Sequence, residues 1–335
     1  MLARDIGIDL GTVNVLIYLK GKGIVLNEPS VVVIDTETKR VLAVGEEANE
    51  MVGRTPGKVK AVKPMKDGVI ADFELTEIML NEFIKKAKAR KVVMRPRILI
   101  CCPTNITQVE KNAIKEAAER AGARKVYIEE EPKVAAIGAG MDISKPTANM
   151  VLDIGGGTTD IAVLSMDGIV ASASIKTAGN AMDEDIIKYI REKYKLLIGE
   201  KTAENIKMNF TNVYKPKKTE KIEIKGRDLI TGLPKSLEIN QEETKEALDG
   251  AIEKIIKACK NVFEQTPPEL SADIVEKGVI LTGGGALLTG LVERMEEALT
   301  VPVLMAETPL TCVAEGCGIL LDNLKRIEKD QKIDS

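Results

Sequence analysis

The chain has 335 residues, 44% of them hydrophobic and 30% charged, with a formal net charge of -3 and no histidine. That length predicts two lobes of roughly 150 residues each rather than one core. The weak net charge excludes a general basic field for nucleic acid, and the missing histidine excludes histidine triads and histidine-ligated metals.

Taken in chain order, IGIDL, VLIYL, IVL and VVVI read as strands joined by turns, and residues 34–44 as a further hairpin. LTEIMLNEFIKKA has helical spacing through Leu75, Ile78, Met79 and Phe83, and RILICC is a buried strand. Thr107 with Glu110 is a capping box that starts a helix running toward Gly122. VYIEE begins another strand, and EPKVAAIGAG a helix of small residues. At Met150 the pattern restarts: Asp9, Leu10, Gly11, Thr12, Val13 and Asn14 align with Asp153, Ile154, Gly155, Thr158, Thr159 and Asp160, with Gly156 and Gly157 as an insertion. Such a repeat predicts a duplicated domain with a cleft between its halves. A charged, mostly helical insert follows Met182, then a lysine-rich strand-like segment to Asn240, and a helix from Asn240 to about Gln265 with Glu243 in its first turn. VILTGGGALLTGL is a strand, a glycine turn and a helix start. Five scattered cysteines are read as core packing in a reducing compartment. No run of about 18 apolar residues supports a membrane span or a secretory leader.

An acid at a strand end beside glycine cannot bind bare phosphate, because the charges repel. It can hold a divalent cation that in turn holds phosphates, while glycines let backbone N–H groups approach phosphate oxygens. Asp9 and Asp153 are therefore the metal candidates. Gly11, Thr12, Val13 and Asn14 with Gly155, Gly156, Gly157 and Thr158 are the phosphate-turn candidates. Gly283, Gly284, Gly285 and Ala286 form a third turn, read as opening a helix with an anion or nucleoside site at its N-terminus.

With these residues in place, LNEPSVV, DGVIADFE, EEPKVAAIGAG, DIGGGTTD, IGEKTAENIK, GRDLITGLPKSLEI and TPPELSADIVEKGVILTGGGALL resemble the MreB family of bacterial actin homologues, from Ile6 to about Leu321. The resemblance implies an α/β, actin-like fold of duplicated RNase H-type domains, with two lobes of two subdomains around a nucleotide cleft. Subdomain IA would comprise 1–32, 66–145 and 316–335, IB 33–65, IIA 146–180 and 245–315, and IIB 181–244. It implies ATP or GTP with Mg²⁺, an ATPase coupled to filament assembly with itself, and membrane-protein partners of the shape-determining machinery. It places the protein in the cytoplasm, peripheral on the inner face of the membrane. Glu131 and Thr158 would orient the attacking water, and Glu204 and Lys207 would contact ribose and base.

Three positions depart from the family: Asp160 stands where glutamate is usual, Lys133 where an apolar residue is, and Asn180 where an aspartate follows Gly179. A cation near Glu131 and a carboxylate lost near the phosphates are expected to slow turnover or to alter nucleotide preference. KKAKARKVVMRPR, from Lys85 to Arg97, carries basic residues around Val92, Val93 and Met94, and resembles a membrane-inserting loop suited to anionic lipid. A sugar kinase would need a substrate pocket with a general-base aspartate, and none stands out beyond the phosphate turns. A chaperone would need a further substrate-binding domain, and a plasmid-segregation actin would not be expected to reproduce GRDLITGLPKSLEI.

Overall fold

The computed structural model describes residues 5–87 and 95–324, and the chain divides into two units, Met1–Ile143 with Leu310–Ser335 and Ser144–Pro309. In the first unit β1 (Ile6–Leu10), β2 (Asn14–Leu19) and β3 (Gly23–Pro29) form an antiparallel meander. A small sheet of β4 (Val32–Asp35), β5 (Val41–Val44) and β6 (Val59–Val62) carries α1 (Glu46–Glu50), and β7 (Met65–Lys66) pairs with β8 (Val69–Ile70). The chain continues through α2 (Phe73–Lys86), β9 (Arg97–Cys102), α3 (Gln108–Arg120), β10 (Lys125–Glu130) and α4 (Glu131–Gly138). β9 and β10 join β1 in parallel, which requires crossovers, and helices supply them. The sheet order is β10-β9-β1-β2-β3.

Two helices of this unit begin on side-chain caps. Asp72 accepts the Leu75 N–H at 3.0 Å ahead of α2, and the Thr107–Glu110 capping box is formed in both directions at α3. On one face of the sheet, Ile6, Ile8, Ile98 and Ile100 pack with Met79, Leu80 and Phe83 of α2 and Ile114 of α3. Gly7, Asp9 and Cys101 alternate onto the other face, where the C-terminal helix Cys312–Asp322 lies. That helix approaches α4 backbone to backbone, since any Cβ at Gly316 would meet the carbonyl of Val134. Glycine is therefore required there by packing alone.

The second unit opens with β11 (Asn149–Ile154), β12 (Thr159–Ser165) and β13 (Gly168–Ile175), again an antiparallel meander. It continues through α5 (Gly179–Tyr194), β14 (Leu196–Leu197), α6 (Glu200–Asn209), the hairpin β15 (Lys221–Asp228) and β16 (Pro234–Asn240), α7 (Gln241–Gln265), α8 (Pro268–Lys277) and β17 (Val279–Thr282). A short 3₁₀ turn, Gly284–Leu287, then leads to α9 (Leu291–Leu299) and β18 (Val303–Met305). The order β18-β17-β11-β12-β13 repeats that of the first sheet, with the same parallel and antiparallel pairings. The duplication is thus real, but its alignment needs correcting. Leu10 pairs with Val15 and Ile154 with Thr159, so Gly11–Asn14 and Gly155–Thr158 are loops of equal length. Gly156 and Gly157 are not an insertion; they occupy the places of Thr12 and Val13, and Thr158 corresponds to Asn14.

One carboxylate joins α5 to α7. Glu243 completes a capping box with Asn240, receives the Lys193 ammonium at 2.8 Å, and accepts from the Tyr194 hydroxyl. Burial pushes the Glu243 carboxyl up, but the Lys193 ammonium and the Tyr194 hydroxyl outweigh it and leave it below the usual range. A depressed carboxyl stabilises the fold once ionised, and that gain fades as pH falls through its folded value. Glu243→Gln should cost about 2 kcal/mol near neutral pH, and the gap to the wild type should narrow at about pH 4. Urea denaturation of both proteins at the two pH values checks this, and an unchanged gap would place the effect in packing instead.

Candidate functional site

In the first unit, Asp9 is the penultimate residue of β1, opposite Leu16 on β2 and in register with Cys101 on β9, which in turn aligns with Glu129 on β10. Acidic and thiol groups therefore gather at the carboxyl ends of three parallel strands, where open α/β sheets place ligands. Glu131 begins α4 at the same end. Both Asp9 and Glu131 act electrostatically on Cys101, whose thiol is held well above its usual range first by burial and then by the hydrogen bond with Cys317 at 3.1 Å. All five cysteines are buried and none is in a disulfide, consistent with core packing. Burial pushes the Asp9 carboxyl up to about 7. Such an acid is uncomfortable as a bare anion and favours an adjacent cation.

The turn after β1 is fastened from behind. Ser30 donates its hydroxyl to the Gly11 carbonyl at 2.7 Å and its N–H to the Val13 carbonyl at 2.7 Å. The two ends of a trans peptide point in opposite directions, so fixing the Gly11 carbonyl aims the Thr12 N–H the other way. The Thr12 hydroxyl, expected as a ligand donor, is buried and accepts the Gly68 N–H at 2.9 Å. Asn14 is exposed, with its side-chain amide on Asn27 at 3.1 Å. Ser30 was missed by sequence reasoning, although it lies in LNEPSVV, because a serine after proline carries no local sign of such a contact.

The second unit builds its turn the same way from different parts. The Gly155 N–H closes the loop on the Thr158 carbonyl at 2.9 Å. The first amides of α5 then hold the loop's carbonyls, Gly179 N–H to Gly155 at 3.1 Å and Asn180 N–H to Gly156 at 2.8 Å. By the same peptide geometry the Gly156 and Gly157 N–H groups are turned away from α5, side by side, in the arrangement that cradles an anionic oxygen. Asp153 is 3% exposed, with Asp160 directly opposite it on β12 and Thr282 beside it on β17. The Thr282 hydroxyl is buried without a hydrogen-bond partner.

The third glycine turn differs from expectation. It opens a four-residue 3₁₀ turn, not an α-helix, so it lacks the aligned peptides that give a helix N-terminus its field. Gly283 has φ 77°, and a Cβ there would meet the Asp153 carboxylate and the Ile154 carbonyl. Its glycine is thus explained by contact with the end of β11. Gly284 is exposed, Gly285 lies against Ile154, and Ala286 faces the core.

Two other expected site residues are on α6. Glu204 is exposed, whereas Lys207 places its ammonium 2.9 Å from the Gly179 carbonyl and 2.9 Å from the Asp183 carboxylate. Lys133, expected to add a cation near Glu131, reaches Glu129 instead, at 3.3 Å. Val92, Val93 and Met94 lie outside the described residues.

The donor set fits Mg²⁺. Among the described residues no group of three or more carboxylates or thiols gathers to hold a metal alone. One or two carboxylates with phosphate and water completing the shell is how Mg²⁺ is ordinarily held. The raised Asp9 carboxyl and the unpaired Thr282 hydroxyl beside Asp153 are the marks of sites awaiting a polar partner.

A family model described as MreB/Mbl protein matches residues 3–329. The chain is 60% identical over 329 residues to the cell shape-determining protein Mbl of Bacillus subtilis, covering 98% of this chain and 99% of that one. It is 50% identical over 327 residues to the cell shape-determining protein MreB of Escherichia coli K12, covering 96% and 94%. Among solved structures, MreB 5 of Spiroplasma citri bound to AMPPNP matches with a TM-score of 0.93 at 40% identity, covering 99% of each chain.

Proposed function

Because the chain belongs to the MreB/Mbl family, we propose that it is a nucleotide-dependent, filament-forming bacterial actin that organises cell shape from the inner face of the membrane. Its actin-like duplicated α/β fold supports this reading. The observation that carries it is the paired strand–turn–strand unit, which twice sets a carboxylate two residues before a glycine loop whose carbonyls are tied back. The relative bound to AMPPNP supports ATP as the nucleotide, and the same contacts would accept the phosphates of GTP.

In this reading Asp9 and Asp153 hold Mg²⁺, which when bound neutralises phosphate charge and lowers the barrier to losing the γ-phosphate. The turns Gly11–Asn14 and Gly155–Thr158 supply N–H donors to phosphate oxygens. Glu131, in the first turn of α4 where the helix field favours a negative charge, orients the attacking water with Thr158. Glu204 is assigned to the nucleoside, and Gly283, Gly284, Gly285 and Ala286 to its far edge. Sedimentation with and without Mg²⁺-ATP, followed by electron microscopy, tests the proposal; a chain that neither pellets nor forms filaments with either nucleotide would overturn it.

Membrane attachment is the outer part of the same proposal, and membrane proteins of the shape-determining machinery are its further partners. Among the described residues no helix is long and apolar enough to cross a membrane. Val92, Val93 and Met94 can each contribute at most about 1.5 to 3 kcal/mol if fully buried, and neighbouring Lys and Arg about 1 kcal/mol each near anionic lipid. One such segment anchors poorly, but a filament repeats it, so later contacts become intramolecular and avidity rises. Val93→Asp with Met94→Asp should weaken co-sedimentation with anionic liposomes about tenfold under assembly conditions while nucleotide binding persists. Equal liposome binding by that variant removes the membrane claim.

A further inference from the structure

The Lys207 ammonium and the Asp183 carboxylate form an ion pair at 2.9 Å whose side chains are only 14% and 13% exposed. Taking both charges out of water is costly, and α5 and α6 do not need the pair to adhere. Met182, Ile186 and Ile190 on α5 and Ala203 and Ile206 on α6 already share one apolar core. What the pair adds is direction. Besides Asp183, Lys207 donates to the Gly179 carbonyl at 2.9 Å, a charge-assisted bond to the residue whose own N–H holds the Gly155 carbonyl. Gly179 is thus held from both sides. A Cβ added there would lie 3.4 Å from the Lys207 nitrogen and 3.4 Å from the Gly155 oxygen.

We propose that Lys207 and Asp183 are a positioning pair for the Gly155–Thr158 turn. Together they fix the first turn of α5, so that the Gly179 and Asn180 amides hold the carbonyls of Gly155 and Gly156 and keep the Gly156 and Gly157 N–H groups aimed at a phosphate oxygen. The proposal rests on the reading of that loop as a phosphate turn. It gives Lys207 a role through Gly179 instead of a contact with the base or ribose. It also links the two ends of the nucleotide within one unit: α6 presents Glu204 to the nucleoside three residues before Lys207, so a shift of α6 is passed through Asp183 and Gly179 to the phosphate amides.

The test uses the full chain and the variants Asp183→Asn, Lys207→Met, their combination, and Lys207→Arg. Hydrogen–deuterium exchange without nucleotide is expected to speed up about tenfold for peptides spanning 155–158 and 179–182 in both single variants, and no further in the double, while β12 stays protected. Mg²⁺-ATP affinity should fall about five- to tenfold in each single variant and by the same amount in the double. Lys207→Arg, which keeps a cation able to reach both partners, should recover much of both losses. Unchanged exchange around the turn in both single variants overturns the proposal. So does weakened ATP binding in Lys207→Met with no effect in Asp183→Asn, which would put Lys207 on the nucleotide itself. Failure of the wild type to bind Mg²⁺-ATP would overturn the phosphate reading, while the exchange experiment still decides whether the pair holds the turn.

Discussion

Asp153→Ala should lower the affinity for Mg²⁺-ATP by about 100-fold or more, and Asp153→Asn should do nearly the same, because both remove the charge that organises the metal and only one removes the side chain's shape. The carboxylate is buried at the end of β11 between Thr282 and Asp160. Gly283 is bare of a side chain because it lies against that carboxylate. Asp160 stands directly opposite, about 5 Å away between Cβ atoms for such a pair, and is an acid placed to compensate. Its place on the far strand of the hairpin, away from Gly283, argues that it cannot replace Asp153. The ligand-free protein should not melt lower in Asp153→Asn, since removing one of two adjacent buried acids relieves repulsion. Titration calorimetry with ATP in Mg²⁺ and in chelator measures the effect, and an Mg²⁺-ATP affinity equal to the wild type would sink the metal assignment.

Much of this arrangement is legible in the sequence because it is local. The capping box at Thr107–Glu110 is spelled out within four residues and forms as read, and the helix starting at Asn240 with Glu243 in its first turn forms as α7, where the two residues turn out to make a second box. RILICC and VYIEE become β9 and β10, and the restart at Met150 becomes a second sheet of identical order. What is not legible depends on contacts between distant residues. Matching the two copies by residue type pairs Thr12 with Thr158 and invents an insertion, whereas strand register pairs Thr158 with Asn14. Lys207 has an acid three residues away in its own helix, yet it turns to Asp183 on α5. A charged side chain has many candidate partners along a sequence, and only packing selects among them. Nothing local in the helix Cys312–Asp322 shows that Gly316 admits the backbone of α4 while Gly318 lies against the Tyr18 ring.

Glu131→Gln should leave Mg²⁺-ATP affinity within about threefold of the wild type and slow phosphate release by about 100-fold or more. Glutamine keeps the size and polarity of the side chain but cannot accept a proton from water, so an effect on turnover without one on binding isolates the chemical step. The position suits that role: Glu131 opens α4 at the carboxyl end of the parallel strands, where Asp9 also stands. Its charge is favoured by the first turn of a helix. Lys133 could have cancelled that charge one helical turn along, but its ammonium is committed to Glu129 at 3.3 Å. Lys133→Met should therefore leave the rate within about threefold, whereas a basic group acting on the water or on Glu131 would make that variant faster. Phosphate release has to be followed with filaments assembled, because hydrolysis in this reading is coupled to polymerisation. If Glu131→Gln releases phosphate at the wild-type rate from filaments of equal mass, the water is oriented by another group and Glu131 is only an acid at a helix start.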